Sequence, residues 1–160
     1  MTEAEEPAYR PLGPARTQAE PVGKPLAAKR LALVTCGHRR LGGIISAALA
    51  RAGHSLAIHG SHDTRLDSHL ALALEEEGTE WDGFVVDFAD PEGAEELVAQ
   101  VAARFGRPPD ILVNSAAIFG QDRLDSVSAD DLMRHYAVNC AAPVMLTKAF
   151  DTVPAGAGDR

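Results

Sequence analysis

Four short apolar runs alternate with four longer stretches whose apolar residues recur at helical spacing, and few folds accept that order. The first run, Leu31-Ala32-Leu33-Val34-Thr35, is nearly all apolar, as a strand covered on both faces requires. After a polar loop, Leu41, Ile44, Ile45, Ala48, Leu49 and Ala52 follow the i, i+3, i+4 stripe of a helix, with Gly53 just past its end. That stripe is expected to face the core. Residues 55–59 read as a second strand, and Leu66, Leu70, Ala73 and Leu74 mark a second helix, stopped by Gly78. Phe84-Val85-Val86 centres a third strand that runs into Asp87. Pro91 suits the first turn of a third helix, whose stripe is Ala94, Leu97, Val98, Val101 and Phe105, ended by Gly106. Ile111-Leu112-Val113 is the fourth strand. Ser128-Ala129-Asp130-Asp131 has the pattern of a capping box, with Asp in place of the usual Glu, and opens a long helix to about Phe150. The order β-α-β-α-β-α-β-α predicts an α/β fold, a doubly wound parallel sheet with right-handed crossovers and ligands at the carboxyl ends of its strands.

The ends of the chain break this regularity. Residues 1–28 contain five of the ten prolines (Pro7, Pro11, Pro14, Pro21, Pro25) and no apolar periodicity, so they read as a disordered leader. Residues 29–150 hold the fold, and residues 151–160 read as a tail. The acidic, Pro-rich start is unlike a signal peptide, and no apolar run is long enough to span a bilayer. A cytoplasmic location and no membrane partner are therefore expected. The net charge of −8 argues against nucleic acid as a partner. Cys36 and Cys140 lack metal-ligand spacing, so no metal is expected and both read as small buried hydrophobes.

Candidate functional residues fall where strands end. The first strand-to-helix turn, Thr35-Cys36-Gly37-His38-Arg39-Arg40-Leu41-Gly42-Gly43, would set backbone N–H groups and a helix N-terminus against a diphosphate. Such a turn also occurs for packing alone. Asp87-Phe88 ends the third strand and Asn114-Ser115-Ala116-Ala117 the fourth. The alternative for Asp87 is an N-cap or turn acid before Pro91. Asn139 lies on the long helix four residues before Pro143, which has no N–H for its carbonyl. That carbonyl is free to hold a water, or the pair simply kinks the helix.

Taken in order, these motifs resemble those of the short-chain dehydrogenase/reductase family over residues of about 29 to 150. The first turn resembles Thr-Gly-x-x-x-Gly-x-Gly, with Cys36 for the first glycine, Arg40 for the middle one and Gly42 kept. Gly37, next to Cys36, is expected to carry the unusual dihedrals. Asp87 resembles the acid near the adenine, Asn114-Ser115-Ala116-Ala117 resembles Asn-Asn-Ala-Gly, and Asn139 resembles the Asn of the catalytic tetrad. The basic pair in Arg39-Arg40-Leu41-Gly42 is similar to that of pteridine and dihydromonapterin reductases. The resemblance implies a Rossmann domain, an NADP(H)-dependent reduction of a carbonyl or pterin-type small molecule, and a full-length form that is homo-oligomeric. It implies cofactor contacts by Thr35, Gly37, His38, Arg39, Arg40, Leu41, Gly42, His59, Asp87, Phe88, Asn114, Ser115 and Ala116, and a proton-relay role for Asn139.

NADP is expected over NAD. No acid stands at the end of the second strand, His59-Gly60-Ser61-His62, where an NAD site holds the ribose hydroxyls. Arg39 offers a guanidinium fork, and His59 and His62 add donors. The family's proton donor is a Tyr with Lys four residues on, and this sequence has no such pair: Tyr9 is followed by Gly13, Tyr136 by Cys140. The chain therefore reads as the N-terminal part of such a reductase, expected to bind cofactor without turnover. A cofactor-binding protein without chemistry, and another doubly wound nucleotide binder such as a methyltransferase-like domain, stay open. The fourth strand is expected to be a sheet edge, and the Met145, Leu146, Ala149 face to lack part of its cover.

Overall fold

The computed structural model describes residues 29–120 and 123–152. The expected leader, residues 1–28, and residues 153–160 of the expected tail lie outside the described residues. Strands β1 (Leu31–Val34), β2 (Ser55–Gly60), β3 (Trp81–Val85) and β4 (Ile111–Val113) form one parallel sheet in the order β3-β2-β1-β4. Helices α1 (Arg40–Arg51), α2 (Ser68–Glu76) and α3 (Pro91–Phe105) make the crossovers. Successive residues of a strand point to opposite faces. Leu31 and Leu33 accordingly pack with Leu97 and Val101 of α3 on one side. Ala32 packs with Ala47 of α1 and Leu70 and Leu74 of α2 on the other. The expected doubly wound architecture is present, with β4 pairing β1 alone.

The stripe expected to bury α1 is largely on the wrong face, although Leu49 of that stripe packs against the core. Gly42, Gly43, Ser46, Ala47 and Ala50 are buried, while Leu41 and Ile44 are 66% and 63% exposed. The reason is close approach. A Cβ on Gly42 would lie 2.1 Å from the Cys36 carbonyl oxygen, and the Ser46 hydroxyl donates to the Gly37 carbonyl at 2.8 Å. Only small side chains fit between the first turns of this helix and the loop, so Leu41 and Ile44 face outward.

The third strand begins earlier than its apolar run. It pairs with β2 from Leu56↔Trp81 to Gly60↔Val85. As an edge strand it tolerates Asp82 and Gly83, and Gly83 lies under Thr64, whose hydroxyl would be 2.5 Å from an added Cβ.

The long helix is also interrupted. Ser128 and Asp131 form the full capping box, each side chain taking the other's N–H at 3.1 Å, and α4 runs Ala129–Tyr136. A π-turn, Ala137–Ala141, then leads into α5, Ala142–Thr152, which takes in the first two residues of the expected tail. Pro143 cannot donate to the carbonyl of Asn139, and the chain accommodates the gap with a wider turn in which the Ala142 N–H reaches the Ala137 carbonyl. Leu146 and Ala149 are buried against the core, while Met145 of the same face is partly exposed. No residue of α4 is buried. Among the described residues, no helix is long and apolar enough to cross a membrane.

Candidate nucleotide-binding site

The carboxyl ends of the four strands meet in one crevice, and Thr35 ties two of them together. Its buried hydroxyl donates to the Val113 carbonyl at 3.3 Å and accepts the N–H groups of Ser115 and Ala116, each at 2.9 Å. Beyond it the chain turns sharply. The left-handed dihedrals fall on Cys36 (φ 49°) and Arg40 (φ 52°), the two residues that stand where the family pattern has glycine. Gly37 does not carry them, against expectation. It is small for another reason: a Cβ there would sit 2.8 Å from the Val34 carbonyl oxygen and 2.9 Å from the Val34 Cβ. Each non-glycine residue in this region costs about 1–2 kcal/mol, so the surrounding structure must impose the turn.

The N-terminus of α1 is bare. Asp67 caps α2, Asp90 caps α3 and Ser128 caps α4, each accepting a first-turn N–H. The cap residue of α1 is Arg39, which makes no side-chain cap, and no acid lies in the first turn. Orphan N–H groups and the positive end of the helix dipole therefore face the crevice. Arg39 and Arg40 are exposed and make no ion pair among the described residues, whereas Lys29, Arg104, Arg107, Arg123 and Lys148 are paired elsewhere.

His59 packs against this loop, and His38 is the buried residue within it. His59 is fully buried and stacks on Phe88, ring centroids 4.1 Å apart and 9° from parallel. Its Nε2 is 2.9 Å from the Val86 carbonyl, and its Nδ1 is 3.3 Å from the Cys36 nitrogen. A carbonyl only accepts, so Nε2 carries the proton and Nδ1 takes the Cys36 N–H. Burial pushes the ring's pKa down to about 4, so it is neutral. His59 thus offers no donor to a ribose phosphate, which corrects the sequence expectation. Phe88 is likewise buried, its ring committed to that stack. Burial raises the half-buried Cys36 thiol, keeping it protonated. His38 is buried against Gly60, and neither ring nitrogen has a partner among the described residues.

A cavity of about 70 Å³ opens between Ser61 and His62 after β2, Asp87 after β3, Ala116 and Ile118 after β4, and Arg134 of α4. Asp87 is exposed, and its carboxylate accepts the Ala89 N–H at 3.0 Å, so the turn role is present; the helix cap is Asp90. The Asn139 amide pairs with the backbone of Ile118 in both directions at 2.9 Å, fastening the π-turn to the loop after β4. Asn114 reaches Thr147 at 3.4 Å, and the Thr147 hydroxyl donates to the Pro143 carbonyl at 2.7 Å. Ser61, Ile118 and Arg134 were missed from the sequence. Ser61 and Ile118 adjoin recognised motifs, whereas Arg134 sits on a polar helix with nothing to single it out.

Among solved structures, a short chain dehydrogenase from Burkholderia cenocepacia in complex with NADP is 34% identical, with a TM-score of 0.69 over 77% of this chain and 49% of that one. A blue fluorescent protein from a metagenomic library, in complex with NADPH, is 32% identical, with a TM-score of 0.66 over 76% and 50%. A short chain dehydrogenase of Pseudocercospora fijiensis is 33% identical over 88% of this chain and 44% of its own length. The chain thus spans about half the length of these relatives. The short chain dehydrogenase family matches residues 30–154, the whole of the folded region described above, and the chain belongs to that family.

Proposed function

We propose that this chain is the NADP(H)-binding half of a short-chain oxidoreductase acting on a carbonyl or pterin-type small molecule. The observation that carries the reading is the bare α1 N-terminus, the one uncapped start among the described helices that open from a loop. The residues fit the cofactor. Gly42 lets the first turn of α1 lie against the Cys36 carbonyl, which leaves the amides of that turn at the crevice, and the ring nitrogens of buried His38 have no partner among the described residues. In this reading the first-turn amides of Arg40, Leu41 and Gly42 hold the diphosphate. Arg39 and His62 hold the 2′-phosphate, and Asp87 and the Phe88 N–H meet the adenine in the cavity beside Arg134. Thr35, Asn114, Ser115 and Ala116 set the wall along which the second ribose lies. Asn139 acts through Ile118, as a fastening for that wall, and its relay role rests on the family resemblance. The cofactor, when bound, supplies hydride chemistry; the protein's part is to position it.

NADP is favoured over NAD because the exposed Arg39 and Arg40 make no ion pair among the described residues and the acid nearest the end of β2, Asp63, lies three residues on, in the field of Arg39. The Arg39-Arg40-Leu41-Gly42 turn supports the pteridine-reductase-like assignment.

Titration of the chain with NADPH and NADH, followed by nicotinamide fluorescence, tests the binding. NADPH should bind about tenfold or more tightly than NADH, and binding of neither would overturn the proposal.

A further inference from the structure

The loop's left-handed turn at Cys36 has no glycine to make it easy, yet the structure holds it there. The partners of the loop's first two amides explain how. The Cys36 N–H goes to the ring Nδ1 of His59, and the next one, the Gly37 N–H, goes to the His59 main-chain carbonyl at 3.0 Å. One residue of β2 therefore takes two consecutive amides of the loop. The ring is itself fixed on its other side, by the Val86 carbonyl and by the face of Phe88. That links the ends of β1, β2 and β3 through a single imidazole. Neither Phe nor Leu at this position could accept from Cys36.

We propose that His59 is the positioning residue of the nucleotide loop: it turns the Cys36 and Gly37 amides back toward β2 and so holds Cys36 in the conformation a glycine would otherwise supply. The amides of the first turn of α1 are then the ones left to face a phosphate. This inference rests on the cofactor reading above only for its consequence, since the grip on the loop exists without ligand. It also accounts for why a residue at a strand end, where a ribose contact is expected, is fully buried and engaged at both ring nitrogens.

Two measurements test it. The first uses the wild-type chain without ligand: amide exchange at Cys36 and Gly37, with the nitrogen shifts of the His59 ring. Protected amides and a proton on Nε2 are expected; fast exchange at Cys36, or a proton on Nδ1, would overturn the proposal. The second is NADPH titration of His59→Phe, which keeps the stack and loses the acceptor, and His59→Gln, which restores both hydrogen bonds. His59→Phe should weaken binding by about tenfold, with His59→Gln recovering most of it. Wild-type affinity in His59→Phe would sink the inference while leaving the cofactor reading intact. Protected amides in a wild-type chain that binds no NADPH would do the reverse. Should His59→Phe fail to fold, the wild-type exchange and ring shifts still decide.

Discussion

Acid should destabilise this chain through one imidazole. His59 stays neutral in the folded protein down to about pH 4, whereas in the unfolded chain it takes a proton near 6.5. Between those values the unfolded state binds more protons than the folded one, so stability falls as pH drops through that window. The loss is complete near pH 4. The gap corresponds to about 3 kcal/mol at roughly 1.4 kcal/mol per pH unit, a large share of the 5–15 kcal/mol typical of a domain. The physical cause is burial, assisted by the positive charge of His38 when protonated, while the bond to the Val86 carbonyl opposes the shift. Urea unfolding of the wild type and His59→Gln at intervals from pH 7 to pH 4 isolates the contribution. The glutamine amide can accept from Cys36 and donate to Val86 but does not titrate. Carboxylates such as Asp131, held below their usual range by hydrogen bonds from Ser128, contribute equally to both proteins and cancel in the difference. The wild type should lose about 3 kcal/mol more than the variant over this range. Parallel curves would show that His59 titrates normally, and the buried, neutral tautomer would have to be abandoned.

Three further outcomes follow from the same geometry. Arg39→Ala should weaken NADPH about tenfold and leave NADH unchanged, read by competition titration, because only the 2′-phosphate distinguishes the two ligands. Thr35→Val leaves the Ser115 and Ala116 N–H groups without their acceptor and should cost about 2–3 kcal/mol in denaturant unfolding. Gly42→Ala drives a methyl into the Cys36 carbonyl and should cost about 1–3 kcal/mol, measured by thermal unfolding, with loss of NADPH binding.

Periodicity made the fold legible, and size limited it. Spacing alone placed α1 and its stop, because apolar residues recur wherever a helix has two sides to choose from. It could not show which side faces the sheet. Leu41 and Ile44 look like core residues in the sequence, yet the helix approaches so closely at Gly42 and Ser46 that only the small face fits. The same limit applies to β3, where the apolar run marks the strand's end and the register with β2 sets its beginning at Trp81. Pro143 was readable as a missing donor, but the response of the chain was not. A π-turn and a kink both satisfy the same absent N–H, and the Asn139 amide, paired with Ile118, belongs to the outcome that occurred.

The loop shows why a departure from a motif need not be a loss of geometry. Cys36 and Arg40 break the glycine pattern in sequence and keep its left-handed dihedrals in space. A motif written in residue types records the cheapest way to hold a conformation, while the conformation itself depends on the partners of the amides. Here the partner is on another strand, at His59, twenty-three residues away from Cys36. Read by itself, that histidine at a strand end suggests a ligand contact, because nothing nearby in the sequence says that its ring is covered by Phe88 and fastened to Val86. The two anomalies explain each other only in three dimensions: the missing glycine needs a brace, and the buried imidazole needs an acceptor and a donor to offset its desolvation. If that pairing is the physical rule, Cys36→Gly in a His59→Phe background should recover binding that His59→Phe loses. The same Cys36→Gly change in the wild-type background should gain little. NADPH titration of the four proteins measures this coupling, and strictly additive effects would mean that the two residues act independently.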